Sequence, residues 1–276
     1  MRRAFLIALV AASGLIAAPA ALAKTETAHA GNVTATFTFQ GKFPNYHDQQ
    51  LRITQGGMVF YNEPVTSTFC GNDCAPLSAI SGKSAVAVVD LEHNGQPDVV
   101  LELYSGGAHC CTIVQVFSLD PGTMSYVETE TNFGDPEARI VDERHNGRFE
   151  FLTADDTFAY EFTDYAGSGM PIEIFRFADG GFVNVTRNFP GLIARDAAFW
   201  LKAFKGMASD HYQDSVGVIA AWAADEDLLG HVKLVNGYLA RQAKQGHLNS
   251  PLYPRASGQR FISKLKRFLR AHGYLH

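Results

Sequence analysis

One stretch of this chain is written twice. "VVDLEHNGQPDVVLELY" starts at Val88 and "IVDERHNGRFEFLTADD" at Ile140, so Asp90 aligns with Asp142 at a period of 52 residues. Each copy runs apolar strand, then D-x-x-x-N-G-x-x-acid, then apolar strand. Downstream, "VQVFSLDPGTMSYVE" from Val114 matches "IEIFRFADGGFVNVT" from Ile172 at an offset of 58. Both are alternating strands around a Gly-containing turn, the mark of a hairpin. The second copy therefore carries six extra residues, which fall in "DYAGSGMP". A third hairpin, "LRITQGGMVFYNEP" from Leu51, lacks the loop. Multi-strand repeats of this length suggest propeller-like blades. Two and a half units are too few for a closed ring of four to eight blades. The expectation is a mainly β protein of blade-like antiparallel repeats near 85–135 and 137–190, stacked openly within a β region spanning 24–190.

Compartment decides how the cysteines are read. Arg2 and Arg3 precede an apolar run from Ala4 to about Ala18, and Ala21-Leu22-Ala23 then offers a small-x-small cleavage site. That order predicts a secretory signal peptide over 1–23. Arg2-Arg3-Ala4-Phe5-Leu6 is also similar to a twin-arginine signal. The run is short of the roughly 20 apolar residues a spanning helix needs, and nothing later is long and apolar enough. The expected place is periplasmic or extracellular, with no transmembrane segment after cleavage. Removing the signal shifts the net charge from −5 to −7. A surface without a surplus of Lys and Arg argues against nucleic acid as a partner.

In an oxidising compartment four cysteines are most simply two disulfides. Cys70 and Cys74 lie in "CGNDC", Cys110 and Cys111 in "HCC". A Cys110–Cys111 bond would close a strained eight-membered ring. Two cross-links between the segments are expected instead, with the choice of partner open. Each would close about 40 residues and stabilise by roughly 2–4 kcal/mol. Zinc on four thiolates, or on His109 with three, is the rival, but the spacing is poor for it. Gly106 and Gly107 would turn the chain between two strands.

The repeated loop has its own chemistry. In the first copy Asp90, Glu92, Asn94 and Asp98 stand at loop positions 1, 3, 5 and 9, Gly95 at 6, and Gln96 at 7 can offer its carbonyl. Alternate residues of such a loop can converge on one centre, and calcium takes six to eight oxygens at about 2.3–2.6 Å. Leu101 at position 12 rules out an EF-hand. The loop resembles the shorter D-x-D-x-D-G-x-x-D loop of integrin-type, FG-GAP-like repeat proteins over about residues 85–190. "SGGAHCC" and "DDTFAYEF" are similar to segments of exported bacterial proteins of that broad group. The resemblance implies a structural calcium ion held by Asp90, Glu92, Asn94, Gln96 and Asp98. The second copy puts Arg144 where the pattern has an acid, between Asp142 and Glu150, so an Arg could replace the ion there. A metal-free Asn-Gly turn held by Asx-type hydrogen bonds is the simpler alternative.

From about Ile193 the apolar spacing becomes helical, and a helical C-terminal region over 191–276 is expected, with the boundary near Pro190-Gly191. The middle segment suggests a helical hairpin of the tetratricopeptide kind. In the last helix Phe261, Leu265, Phe268 and Leu269 share one face, and Lys264, Lys266, Arg267 and Arg270 cover the rest. A basic amphipathic helix can lie on a membrane, but packing on its own domain is the simpler expectation.

The chain has no G-x-S-x-G, no H-E-x-x-H and no phosphate-cradling loop. Asp155, Asp156, Glu161 and Asp164 are clustered in sequence, and paired carboxylates can cleave a glycosidic bond across a cleft. His109 would be the base. The first expectation is thus an exported, non-catalytic binding module for a protein or cell-envelope component. The alternative is a cell-envelope hydrolase using acids on the β-repeat face.

Overall fold

The computed structural model describes residues 23–108, 110–209, 215–250 and 257–275. Most of the expected signal peptide, and His109, lie outside them.

The β region is three antiparallel meanders. The first sheet runs β1 (Lys24–Ala30), β2 (Val33–Lys42), β3 (Asn45–Gln55) and β4 (Met58–Pro64) in order. In β2, Val33, Ala35, Phe37 and Phe39 are buried and the threonines between them are not, the period-2 pattern of a sheet with one covered face. The second sheet joins β6 (Val86–Val89), β7 (Asp98–Tyr104), β8 (Thr112–Asp120) and β9 (Ser125–Asn132). The two-residue β5 (Ala75–Pro76) also pairs with β7. A one-turn helix, α1 (Ser78–Ser81), follows β5. The third sheet runs β10 (Arg139–Val141), β11 (Glu150–Ala154), β12 (Ile172–Ala178) and β13 (Gly181–Asn184).

The sheets stack in chain order. Phe37, Leu51 and Ile53 of the first pack on Val99, Leu101, Ile113 and Phe117 of the second. From the second sheet's other face, Val100, Val114 and Val116 meet Phe151 and Phe177 of the third. The middle sheet is therefore covered on both faces, which is why β7 and β8 read as almost unbroken apolar runs. Among the described residues the stack does not close into a ring.

Pro190 opens α2 (Pro190–Ser209), where its missing N–H costs nothing. α3 (Val216–Leu228), α4 (Val232–Lys244) and α5 (Gly258–Ala271) follow. α3 is the centre of the helical part: residues 216–224 are apolar and buried on every side, and the acids Asp225, Glu226 and Asp227 fall in its last turn. α5 turns Phe261, Ile262, Leu265 and Leu269 inward, onto its own protein.

The segment between β11 and β12, which holds the extra residues of the second repeat, seats these helices. Phe158 and Phe162 lie edge-on to Phe268, and Phe162 to Phe261. A Cβ on Gly217 would stand 2.4 Å from the Gly167 carbonyl oxygen, so the insertion and the start of α3 meet backbone to backbone.

Candidate binding cleft

The two repeated loops are built alike. Asp90 accepts from the amides of Asn94 (2.9 Å) and Gly95 (2.8 Å), and Asp142 from those of Asn146 (3.0 Å) and Gly147 (2.9 Å). Asn94 and Asn146 each accept from the amide two residues on, those of Gln96 and Arg148. Position 3 reaches to the next unit in both copies. Glu92 accepts from the Asp179 amide in the β12–β13 turn (2.6 Å). Arg144 donates to the Asn188 carbonyl (2.6 Å) and lies 4.4 Å over the Phe189 ring. Position 9 is buried in both. Asp98 accepts from Ser118 (2.6 Å) and the Leu91 amide (3.1 Å), while Glu150 pairs with Arg176 at 2.5 Å. Ser118 and Arg176 are themselves equivalent at the 58-residue offset.

The oxygens are of the kind calcium takes, but Asp98 and Glu92 are engaged elsewhere, and the Gln96 side chain accepts from Gln55 (3.2 Å). No three His, Cys, Asp or Glu side chains converge on one centre among the described residues. Asp90, Glu92, Asn94 and Gln96 are tied to one another and, through Glu92, to the β12–β13 turn. Arg144 does not sit between Asp142 and Glu150 but points outward to the next unit.

The cysteine pairing corrects the expected cross-links. Cys70 bonds Cys74 and Cys110 bonds Cys111. Each segment already doubles back on itself. Ser67 and Gly71 form a β-bridge, with Cys70 and Cys74 Cα atoms 5.4 Å apart, and the Gly107 amide donates to the Cys110 carbonyl at 2.9 Å. The partner is therefore local, and the loops closed are short.

The short loop ending in Cys111 opens on a cleft of about 320 Å³ between the second and third sheets. Its wall holds Cys111, Phe133, Gly134 and Phe175, and its acids are Asp155, Asp156 and Glu173. β11 ends at Ala154, so Asp155 caps the following 3-10 turn. It accepts from the Thr157 amide (2.9 Å) and hydroxyl (2.6 Å). Its other oxygen accepts from the Tyr274 hydroxyl at 2.7 Å. Asp156 accepts from the Asp135 amide (3.1 Å). Gly134, at φ +73°, makes room for it: a Cβ there would lie 2.2 Å from the Asp156 carboxyl carbon. Glu173 accepts from Asn184 (2.9 Å), and burial, with Asp155 close by, pushes its carboxyl up to about 7. Glu173 also borders a second pocket of about 260 Å³, lined by Arg187, His272 and Tyr274 among others. Fully buried Asp225 is pushed up to about 10 by burial and then by Asp196.

Of the four clustered acids, the fold brings only Asp155 and Asp156 into the cleft. Glu161 pairs with Lys264 (3.0 Å), and Asp164 accepts from the Gly167 amide (2.9 Å). Glu173 and Tyr274 were not singled out by sequence. Glu173 sits in an alternating strand and Tyr274 119 residues beyond Asp155, so only folding joins them.

No known family profile matches the chain. It is 26% identical over 208 residues to a probable thylakoid lumen protein of Synechocystis, covering 73% of this chain and 58% of that protein. It is 24% identical over 137 residues to an uncharacterized protein of Sinorhizobium fredii, covering 49% of this chain and 21% of that one. The chain thus spans little more than half of the first relative and a fifth of the second. A solved Xanthomonas protein related to a type IV secretion system aligns at 14% identity over 58% of this chain and 92% of its own, with a TM-score of 0.26.

Proposed function

We propose that this is an exported, non-catalytic β-repeat protein, a stack of propeller-blade-like units that binds a protein or cell-envelope component through its cleft face. The observation that carries this reading is how the repeated acids are used. Position 3 of both loops reaches to the next unit, positions 1 and 9 are bonded within their own loop or sheet, and a cleft between the second and third sheets is left open. The disulfides and the lumenal name of the Synechocystis relative support export to an oxidising compartment. No described helix is long and apolar enough to cross a membrane.

Expression of the full chain in a bacterium with a periplasm tests the reading. A processed periplasmic form starting near Lys24, with both cysteine pairs oxidised within their own segments, is expected. Cytoplasmic accumulation with four free thiols would sink it.

Calcium at Asp90–Asp98 has its own test, melting with calcium and with a chelator. Binding would require Asp98 to leave Ser118. A saturating ligand raises stability by about 2.7 kcal/mol at a hundredfold excess over its dissociation constant. A rise that Asp90→Ala and Asp98→Ala abolish supports a calcium site, and unchanged melting leaves a metal-free joint.

One observation favours hydrolysis as a second reading. Glu173 has the raised carboxyl of a general acid. Against it, Asp155 is held by three donors and Asp156 by an amide. Release of sugar from a cell-wall polysaccharide, lost in Glu173→Gln, would establish this reading.

A further inference from the structure

Charge in the helical region is sorted by burial. Residues 24–190 carry 22 acidic and 9 basic residues, and residues 191–276 carry 6 acidic and 12 basic. None of the described acids in α2–α5 is exposed. Asp225 and Asp227 are buried, Asp196 accepts from the Trp200 indole and the Ile172 amide, and Glu226 accepts from Trp222 and faces His231. The cations point the other way, and α5 shows it most clearly. It holds five Lys or Arg and no acid. Its apolar face is spent on the core, so its basic face looks out. Arg260, Arg267 and Arg270 are exposed and fall at i, i+7 and i+10, in one stripe about 15 Å long. Among the described residues none of the three has an ion-pair partner. Like charges one turn apart on a helix repel, so an anion over Arg267 and Arg270 would relieve them. Along the stripe lies an open depression of about 420 Å³ lined by Gln259, Arg260, Ser263, Lys264 and Arg267. Lys264 is held there by Glu161 at 3.0 Å, which leaves the two arginines free.

We propose that α5 docks this molecule on an anionic lipid surface, with lipid phosphates bridging its arginines. The proposal goes beyond the binding-module reading, because it assigns a second surface, and it draws only on the export half of that reading. Guanidinium pairs with phosphate through two parallel N–H bonds, and such charge-assisted bonds are the strong ones. A straight row of guanidiniums on a convex helix encloses nothing, so it suits a plane of mobile headgroups better than a single small anion. A cluster of this many cations on one amphipathic helix is what an anionic lipid surface attracts. The opposed charges of the two regions also orient the molecule, turning the helices towards such a surface and the acidic β region away.

The test is co-sedimentation of the mature protein with vesicles, either of phosphatidylcholine alone or of phosphatidylcholine and phosphatidylglycerol in equal parts. Binding to the anionic vesicles that high salt abolishes, with none to the neutral ones, is expected. Arg267→Gln and Arg270→Gln should each weaken it about fivefold, the scale of one cation at a charged surface. Arg139→Gln, which removes an exposed cation of β10, should leave it unchanged. Equal binding to both kinds of vesicle would overturn the proposal, as would α5 variants that melt like wild type and bind undiminished. So would no vesicle binding at all. Salt-sensitive self-association lost in Arg267→Gln would then assign the stripe to a second copy of the chain, whose β region is acidic. Failure here leaves the export result untouched, and failed export leaves the vesicle result standing.

Discussion

Arg176 marks what a buried acid at loop position 9 requires. Glu150 is almost wholly buried against it, and removing one partner of such a pair leaves a bare charge in the interior. Arg176→Ala should destabilise the fold by about 3 kcal/mol in urea unfolding. Adding Glu150→Gln should recover part of that loss. If the double variant is no more stable than Arg176→Ala alone, the pair is not the cause. The first copy meets the same need differently, with Ser118 and the Leu91 amide on Asp98. Even so, burial holds the Asp98 carboxyl up near 6.

At the scale of elements, the repeat was legible because period and turn chemistry are local. Asp90, Asn94 and Gly95 fix their loop with hydrogen bonds inside six residues. β1 and β2 were missed as a pair, although Val33, Ala35, Phe37 and Phe39 alternate, because no loop copy marks them. The cysteine partners were misjudged because ring strain could be weighed in sequence and the local reversal of each segment could not. Glu173 and Tyr274 were invisible as site residues, since their meaning comes from what a distant element brings to them. The joint between the insertion and α3 yields a prediction at this scale. Gly217→Ala forces a methyl group against the Gly167 carbonyl, and overpacking of this kind costs about 1–3 kcal/mol. Thermal melting should show the loss. An unchanged melting temperature would mean the two backbones separate freely.

For the whole molecule, the raised carboxyls set the pH response. Glu173 and Glu102 stand near 7, and Asp98 and Asp227 near 6, each lifted chiefly by burial. Between the ordinary carboxylate range and pH 7 the folded chain therefore holds more protons than the unfolded one. Stability from these groups then falls as pH rises through that window. Asp142 and Asp120, held low by backbone amides, act the opposite way, losing their contribution only as pH falls below about 4. The melting temperature should be higher at pH 5 than at pH 8, and Glu173→Gln should flatten the slope. A protein more stable at pH 8 would contradict these shifts.

The β11–β12 connection of the second repeat, with its added residues, bears on descent as well as packing. Phe158, Phe162, Gly167 and Gly169 face the helices rather than their own sheet. A β-repeat lacking them would have no seat for α3 and α5, and helices arriving without them would leave aromatic rings in water. The β11–β12 connection and the helical region thus form one heritable unit. A chimera that exchanges the helices between relatives must carry residues 156–171 along with them.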